Sequence, residues 1–147
     1  MTQQASAATG RAALQLKGAN GQRPRLLLAE DSDPIRILTA AMLKGMGCDV
    51  DAVIHGEHAV RSASQSRFDV SVLDIEMPVM DGITMVRRMR ENPTLKRTPV
   101  IMLTTESGPE NIATAARLGV RDYVTKPFRE EELLAKVGRI IPLLPRA

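Results

Sequence analysis

Three short apolar runs set the limits on what this chain can fold into: Leu26–Ala29, Val70–Leu73 and Val100–Leu103. Each stops at polar groups, with Glu30 and Asp31 after the first, Asp74 after the second and Thr104 after the third. Runs of this length and composition read as strands buried on both faces. The stretches between them carry helical spacing instead. Asp33-Pro34 offers an N-cap and a first-turn proline, Ile35, Leu38, Met42 and Met46 share one face, and Gly45 or Gly47 can close the helix. Residues 48 to 53 alternate apolar and acidic side chains, as a half-exposed strand does.

Further helices are expected from Glu57 to Gln65, from Ile83 to Arg90 and through Ile112, Ala115, Ala116 and Leu118, where Gly119 is the C-cap. The last runs from Glu130 to Ile140, acidic at its start and basic toward its end as the macrodipole favours, and Pro142 and Pro145 stop it. With Val120–Thr125 as a fifth strand, five strands alternate with five helices. That order predicts an α/β fold: a doubly wound five-stranded parallel sheet between two helix layers, joined by right-handed crossovers. Only Phe68, Tyr123 and Phe128 are aromatic, so aliphatic residues and eight methionines must fill the core.

Residues 1–24, rich in Ala, Gln, Gly and Ser, read as a flexible extension in which Ala12–Leu16 forms at most a helical turn on docking. Residues 25–147 then form one domain. The net charge of +3 would suit a nucleic-acid partner, but Arg11, Lys17 and Arg23 of the extension account for it. The rest holds seventeen basic and seventeen acidic side chains, so no nucleic-acid binding is expected, and Arg87, Arg88 and Arg90 read as one solvated helix face. A lone Cys48 excludes an internal disulfide, and His55 and His58 read as exposed loop residues, not ligands. With no apolar run near the ~20 residues that span a bilayer, and no secretory signal, the expectation is a cytoplasmic protein without a membrane partner.

In an open parallel sheet, ligands bind beyond the carboxyl ends of the strands. This chain places Glu30, Asp31, Asp74, Thr104 and Lys126 there. Clustered carboxylates repel unless a cation sits among them, and a hard divalent ion with oxygen ligands, Mg²⁺ or else Mn²⁺, suits the set. The Lys126 ammonium supplies a second positive charge, and the Thr104 hydroxyl can donate to a phosphoryl oxygen. A carboxylate so placed can attack phosphorus and form an aspartyl-phosphate. Asp74, on the middle strand, is the candidate nucleophile, with Glu30 and Asp31 as metal ligands, directly or through water.

Segments 26–36 (LLLAEDSDPIR), 70–90 (VSVLDIEMPVMDGITMVRRMR), 98–107 (TPVIMLTTES) and 115–128 (AARLGVRDYVTKPF) resemble the receiver domain of two-component response regulators. Their order, and the spacings of 30 residues from Asp74 to Thr104 and 22 from Thr104 to Lys126, make the resemblance specific. It implies a flavodoxin-like sheet of order 2-1-3-4-5. By the same resemblance Asp74 is the phosphoacceptor, Asp31 a direct metal ligand, Glu30 its acidic neighbour, and the Glu76 backbone carbonyl a further ligand. Thr104 and Tyr123 resemble the switch pair, and Lys126 the family's lysine, followed by a cis Pro127.

The resemblance is closest to the single-domain chemotaxis type. It implies a histidine kinase as phosphoryl donor, a target that docks on the helix 4–strand 5–helix 5 face, and a monomer or weak dimer that is not an enzyme. A phosphorelay shuttle or a phosphate sink fits the same residues. A different class, a Mg²⁺-dependent phosphohydrolase with an aspartate nucleophile, would use Glu76 as its second acid.

Overall fold

The structure is a computed structural model that describes residues 14–16, 23–54, 56, 58, 60, 61, 67–77, 80–93, 95–105, 109–141 and 143–145. Its elements are β1 (Leu14–Leu16), β2 (Arg25–Ala29), α1 (Asp33–Gly45), β3 (Asp49–Val53), β4 (Val70–Asp74), α2 (Gly82–Glu91), β5 (Val100–Thr104), α3 (Pro109–Arg117), β6 (Asp122–Thr125), α4 (Glu130–Gly138) and β7 (Leu143–Pro145). Strands β3-β2-β4-β5-β6 form one sheet in that order, and every neighbouring pair is parallel. Numbered within the sheet, this is the order 2-1-3-4-5.

Alternation along the strands splits the core in two. Leu27, Ala29, Leu73, Val100 and Met102 face Met85, Val86 and Met89 of α2 and Ala115 of α3. Leu26, Leu28, Val70, Val72, Ile101 and Leu103 face Ala40 and Leu43 of α1 and Leu133 and Val137 of α4. Both faces of the central strands are therefore buried, which is why β4 and β5 read as near-continuous apolar runs. The edge strand β3 is mostly exposed, and its acids pair with Arg23, just before β2, and with Arg25, the first residue of β2: Arg23 with Asp49 at 2.9 Å and Arg25 with Asp51 at 3.3 Å.

Several expectations are corrected. Four of the five expected helices have defined bounds among the described residues, and the described part of the fifth is helical too. Gly56, His58, Val60 and Arg61 are helical, while the other residues of the stretch expected as a helix from Glu57 to Gln65, and His55, lie outside the described residues. The cap of α1 is Ser32, without a side-chain cap bond, and Asp33 pairs with Arg36 instead. The last helix ends at Gly138, two residues early. Residues 14–16 form a strand, not a helical turn, and pair antiparallel with 143–145 in a separate two-stranded sheet.

Arg90 is not part of a solvated face. It is half-buried, and its guanidinium donates to the carbonyls of Leu118 (2.8 Å), Lys96 (3.1 Å), Thr98 (2.8 Å) and Gly119 (3.3 Å). The end of α2 is thereby stapled to the turn before β5 and the turn after α3. At Gly119 the backbone turns through φ of 77°, a conformation that suits glycine.

Candidate functional site

Parallel strands that start together also finish together, so the polar residues that stop the apolar runs meet at one sheet edge. Glu30 and Asp31 follow β2, Asp74 ends β4, Thr104 ends β5 and Lys126 follows β6. Lys126 is held there by its own N–H, which donates to the Thr104 carbonyl at 2.7 Å. Its peptide bond to Pro127 is cis.

One carboxylate oxygen each from Glu30, Asp31 and Asp74 lies within 4.8 Å of the others. The Lys126 ammonium reaches Glu30 Oε1 at 2.6 Å and Asp74 Oδ2 at 3.2 Å. Main-chain donors hold the remaining oxygens: Ser32 N–H to Glu30 Oε2 at 3.1 Å, and Glu76 N–H to Asp74 Oδ1 at 3.1 Å. Glu30 is 0% exposed and Asp74 1%.

Burying two carboxylates side by side has an electrostatic consequence. Burial, then the hydrogen bond and the charge of Glu30, push Asp74 up to about 7, against a smaller lowering by Lys126 and the Glu76 N–H. Burial would lower Lys126, yet its bonds and charge pairing with Glu30 and Asp74 hold it above its ordinary value. The donor set of three carboxylates fits a divalent ion, which would relieve the repulsion that raises Asp74.

Glu76 is exposed, and its side chain reaches the end of β5. Oε1 accepts from the Thr104 hydroxyl at 3.1 Å and from the Thr105 N–H at 3.2 Å. Oε2 accepts from the Thr105 hydroxyl at 2.8 Å. Glu76 and Thr105 stand 29 positions apart, so nothing local in the sequence announces this bridge.

Arg36 was likewise not foreseen. Its guanidinium donates to the carbonyls of Glu30 at 3.0 Å and Asp31 at 3.4 Å, fixing the loop that presents both acids. Tyr123 stands on β6, 39% exposed, with the Lys136 ammonium 5.9 Å from its ring centre. The site therefore gathers Glu30, Asp31, Asp74 and Lys126 directly and Thr104 through Glu76, while Tyr123 lies at the surface. His58 is exposed and belongs to no metal-binding cluster among the described residues. Nor is any helix among them long and apolar enough to cross a membrane.

The response regulator receiver domain family matches residues 26–138. The chain is 34% identical over 118 residues to Protein PilG of Pseudomonas aeruginosa, covering 80% of this chain and 87% of that protein. Chemotaxis protein CheY4 of Vibrio cholerae superposes with a TM-score of 0.77 at 35% identity, over 80% of this chain and 98% of that one. The receiver domain of sensor histidine kinase PA1611 from Pseudomonas aeruginosa, which has a magnesium ion coordinated in its active site cleft, gives 0.75 at 33% identity over 80% and 97%. Other curated relatives, transcriptional regulatory proteins among them, are longer, and the chain spans about half of their length: 52%, 47% and 50% in three cases.

Proposed function

The chain belongs to the response regulator receiver domain family, and on that premise we propose that Asp74 accepts a phosphoryl group from a histidine kinase in a chemotaxis-type signalling pathway. The observation that carries this reading is a buried carboxylate with an amine 3.2 Å away and two further acids within 4.8 Å. In this reading Asp31, Asp74 and the main-chain carbonyl of Glu76 would hold Mg²⁺, or Mn²⁺, and Glu30 would reach it through water. The ion, when bound, supplies positive charge to the phosphoryl oxygens.

The chain's own residues do the rest. An Asp74 oxygen attacks the phosphorus of a phosphohistidine, the new O–P bond forms as the N–P bond breaks, and the imidazole leaves with the electron pair and takes up a proton. Lys126 steadies the carboxylate beforehand and meets the phosphoryl charge afterwards. Ile37 and Leu38, 66% and 57% exposed on α1, give the kinase an apolar foothold beside the site. Thr104 then bonds the phosphoryl group and Tyr123 reorients. That shift in population changes the face formed by α3, β6 and α4, where the target docks.

The similarity to a chemotaxis protein supports the pathway; a phosphorelay shuttle or a phosphate sink would use the same chemistry. The phosphohydrolase reading needs a second acid free to reach the leaving group, and both Glu76 oxygens are engaged by Thr104 and Thr105. Residues 25–147 are proposed as the functional unit and residues 1–24 as an extension. The unit acts as a monomer or weak dimer on protein partners, not on nucleic acid or membrane.

Beryllofluoride, a phosphoryl mimic, tests the site. Fluorine NMR should show a bound species that requires Mg²⁺, and Asp74→Asn should show none. Binding without Mg²⁺, or undiminished binding to Asp74→Asn, would contradict the assignment.

A further inference from the structure

We propose that Glu76 is a positioning residue, a carboxylate latch that occupies the Thr104 hydroxyl until the phosphoryl group takes it over. The proposal rests on the reading of Asp74 as phosphoacceptor. One carboxylate collects three donors from the end of β5: the Thr104 hydroxyl at 3.1 Å, the Thr105 N–H at 3.2 Å and the Thr105 hydroxyl at 2.8 Å. A hydroxyl has a single proton to give. Thr104, 2% exposed, therefore cannot donate to Glu76 and to a phosphoryl oxygen at once.

The bond to Glu76 must break before Thr104 can report phosphorylation, and its energy is subtracted from whatever the phosphoryl group gains. The three bonds offset the rotamer entropy that an exposed glutamate loses when it is held in one position. Hydrogen bonds to a carboxylate are the stronger kind, which suits a latch that holds until a phosphoryl oxygen competes for the Thr104 hydroxyl. The end of β5 is thus poised between two acceptors. Glu76 sets the threshold for leaving the first.

The test is a double-mutant cycle read by beryllofluoride affinity at saturating Mg²⁺, with Mg²⁺ affinity alone as a second readout. Glu76→Ala is expected to tighten beryllofluoride binding by about tenfold, the effect of losing one charge-assisted bond. Any loss of Mg²⁺ affinity should stay well below tenfold, because the substitution keeps the main-chain carbonyl assigned to the ion and removes only a side chain committed to threonines. In a Thr104→Ala background most of the gain should vanish. Three results overturn the latch: no gain in the parent chain, an equal gain in the Thr104→Ala background (simple removal of a negative charge), or a tenfold loss of Mg²⁺ affinity (Glu76 as a side-chain ligand). Beryllofluoride that binds Asp74→Asn as well as the parent chain overturns the phosphoacceptor reading itself, and the latch with it.

Discussion

Asp74→Asn is expected to make the metal-free protein more stable at pH 8, by about 3 kcal/mol. The expectation follows from the burial and the Glu30 hydrogen bond and charge that raise Asp74 from 3.8 to about 7. Because the folded state binds this proton more tightly than the unfolded chain, it keeps the proton where the unfolded chain has lost it. Stability should be intact below about pH 4, fall as pH rises through the window to about 7, and level off above it. Asparagine fills the same space without the charge, and Lys126 keeps Glu30 at 2.6 Å as its partner. Urea unfolding in the presence of EDTA, repeated from pH 5 to pH 8, measures both effects. The parent chain should lose stability across that range and Asp74→Asn should lose far less. Millimolar Mg²⁺ should restore the parent chain, since ligand that binds the folded state stabilises it. A parent chain indifferent to pH in EDTA would show that Asp74 is not held protonated by its neighbours.

Gly82→Ala should produce the second large effect, in the opposite direction. A Cβ at Gly82 would lie 2.5 Å from the Asp74 carbonyl oxygen, 2.6 Å from Met102 Cε and 2.9 Å from Ile75 Cα. Met102 can move its terminal methyl, but two of the three neighbours are main chain. The Gly82 N–H also donates to the Ile75 carbonyl at 3.0 Å, which draws the start of α2 onto the end of β4. Overpacking against backbone is expected to cost about 3 kcal/mol and to lower the melting temperature by ~10 °C. Whatever relaxation occurs displaces the main chain of Asp74, so beryllofluoride affinity should fall too. A stable Gly82→Ala variant with unaltered affinity would mean that the approach of α2 to β4 is looser than the structure shows.

The sheet was legible in the sequence because its central strands are buried on both faces. Leu26–Leu28, Val70–Leu73 and Val100–Leu103 leave no other reading, and their ends delivered Glu30, Asp74 and Thr104 to one edge. Helix ends were less legible. Asp33 looked like a cap, but Ser32 holds that place because Asp33 finds a better partner in Arg36, one turn along. The contacts that give the site its character could not be read at all. The Glu76 bridge to Thr104 and Thr105, the grip of Arg36 on the Glu30 and Asp31 carbonyls and the staple formed by Arg90 depend on loop paths, and no periodicity encodes them. The pairing of Leu14–Leu16 with Leu143–Pro145 joins the two ends of the chain, and three residues on each side are too few for a pattern to appear.

The central claim is that the carboxylate of Asp74 is the group that bonds to phosphorus. Acetyl phosphate with Mg²⁺, followed by borohydride reduction of any acyl phosphate and peptide mass mapping, tests it most directly. The account predicts Mg²⁺-dependent reduction to homoserine at position 74 and at no other aspartate. Labelling elsewhere, or none at position 74 in a folded protein with Mg²⁺ bound, would contradict it.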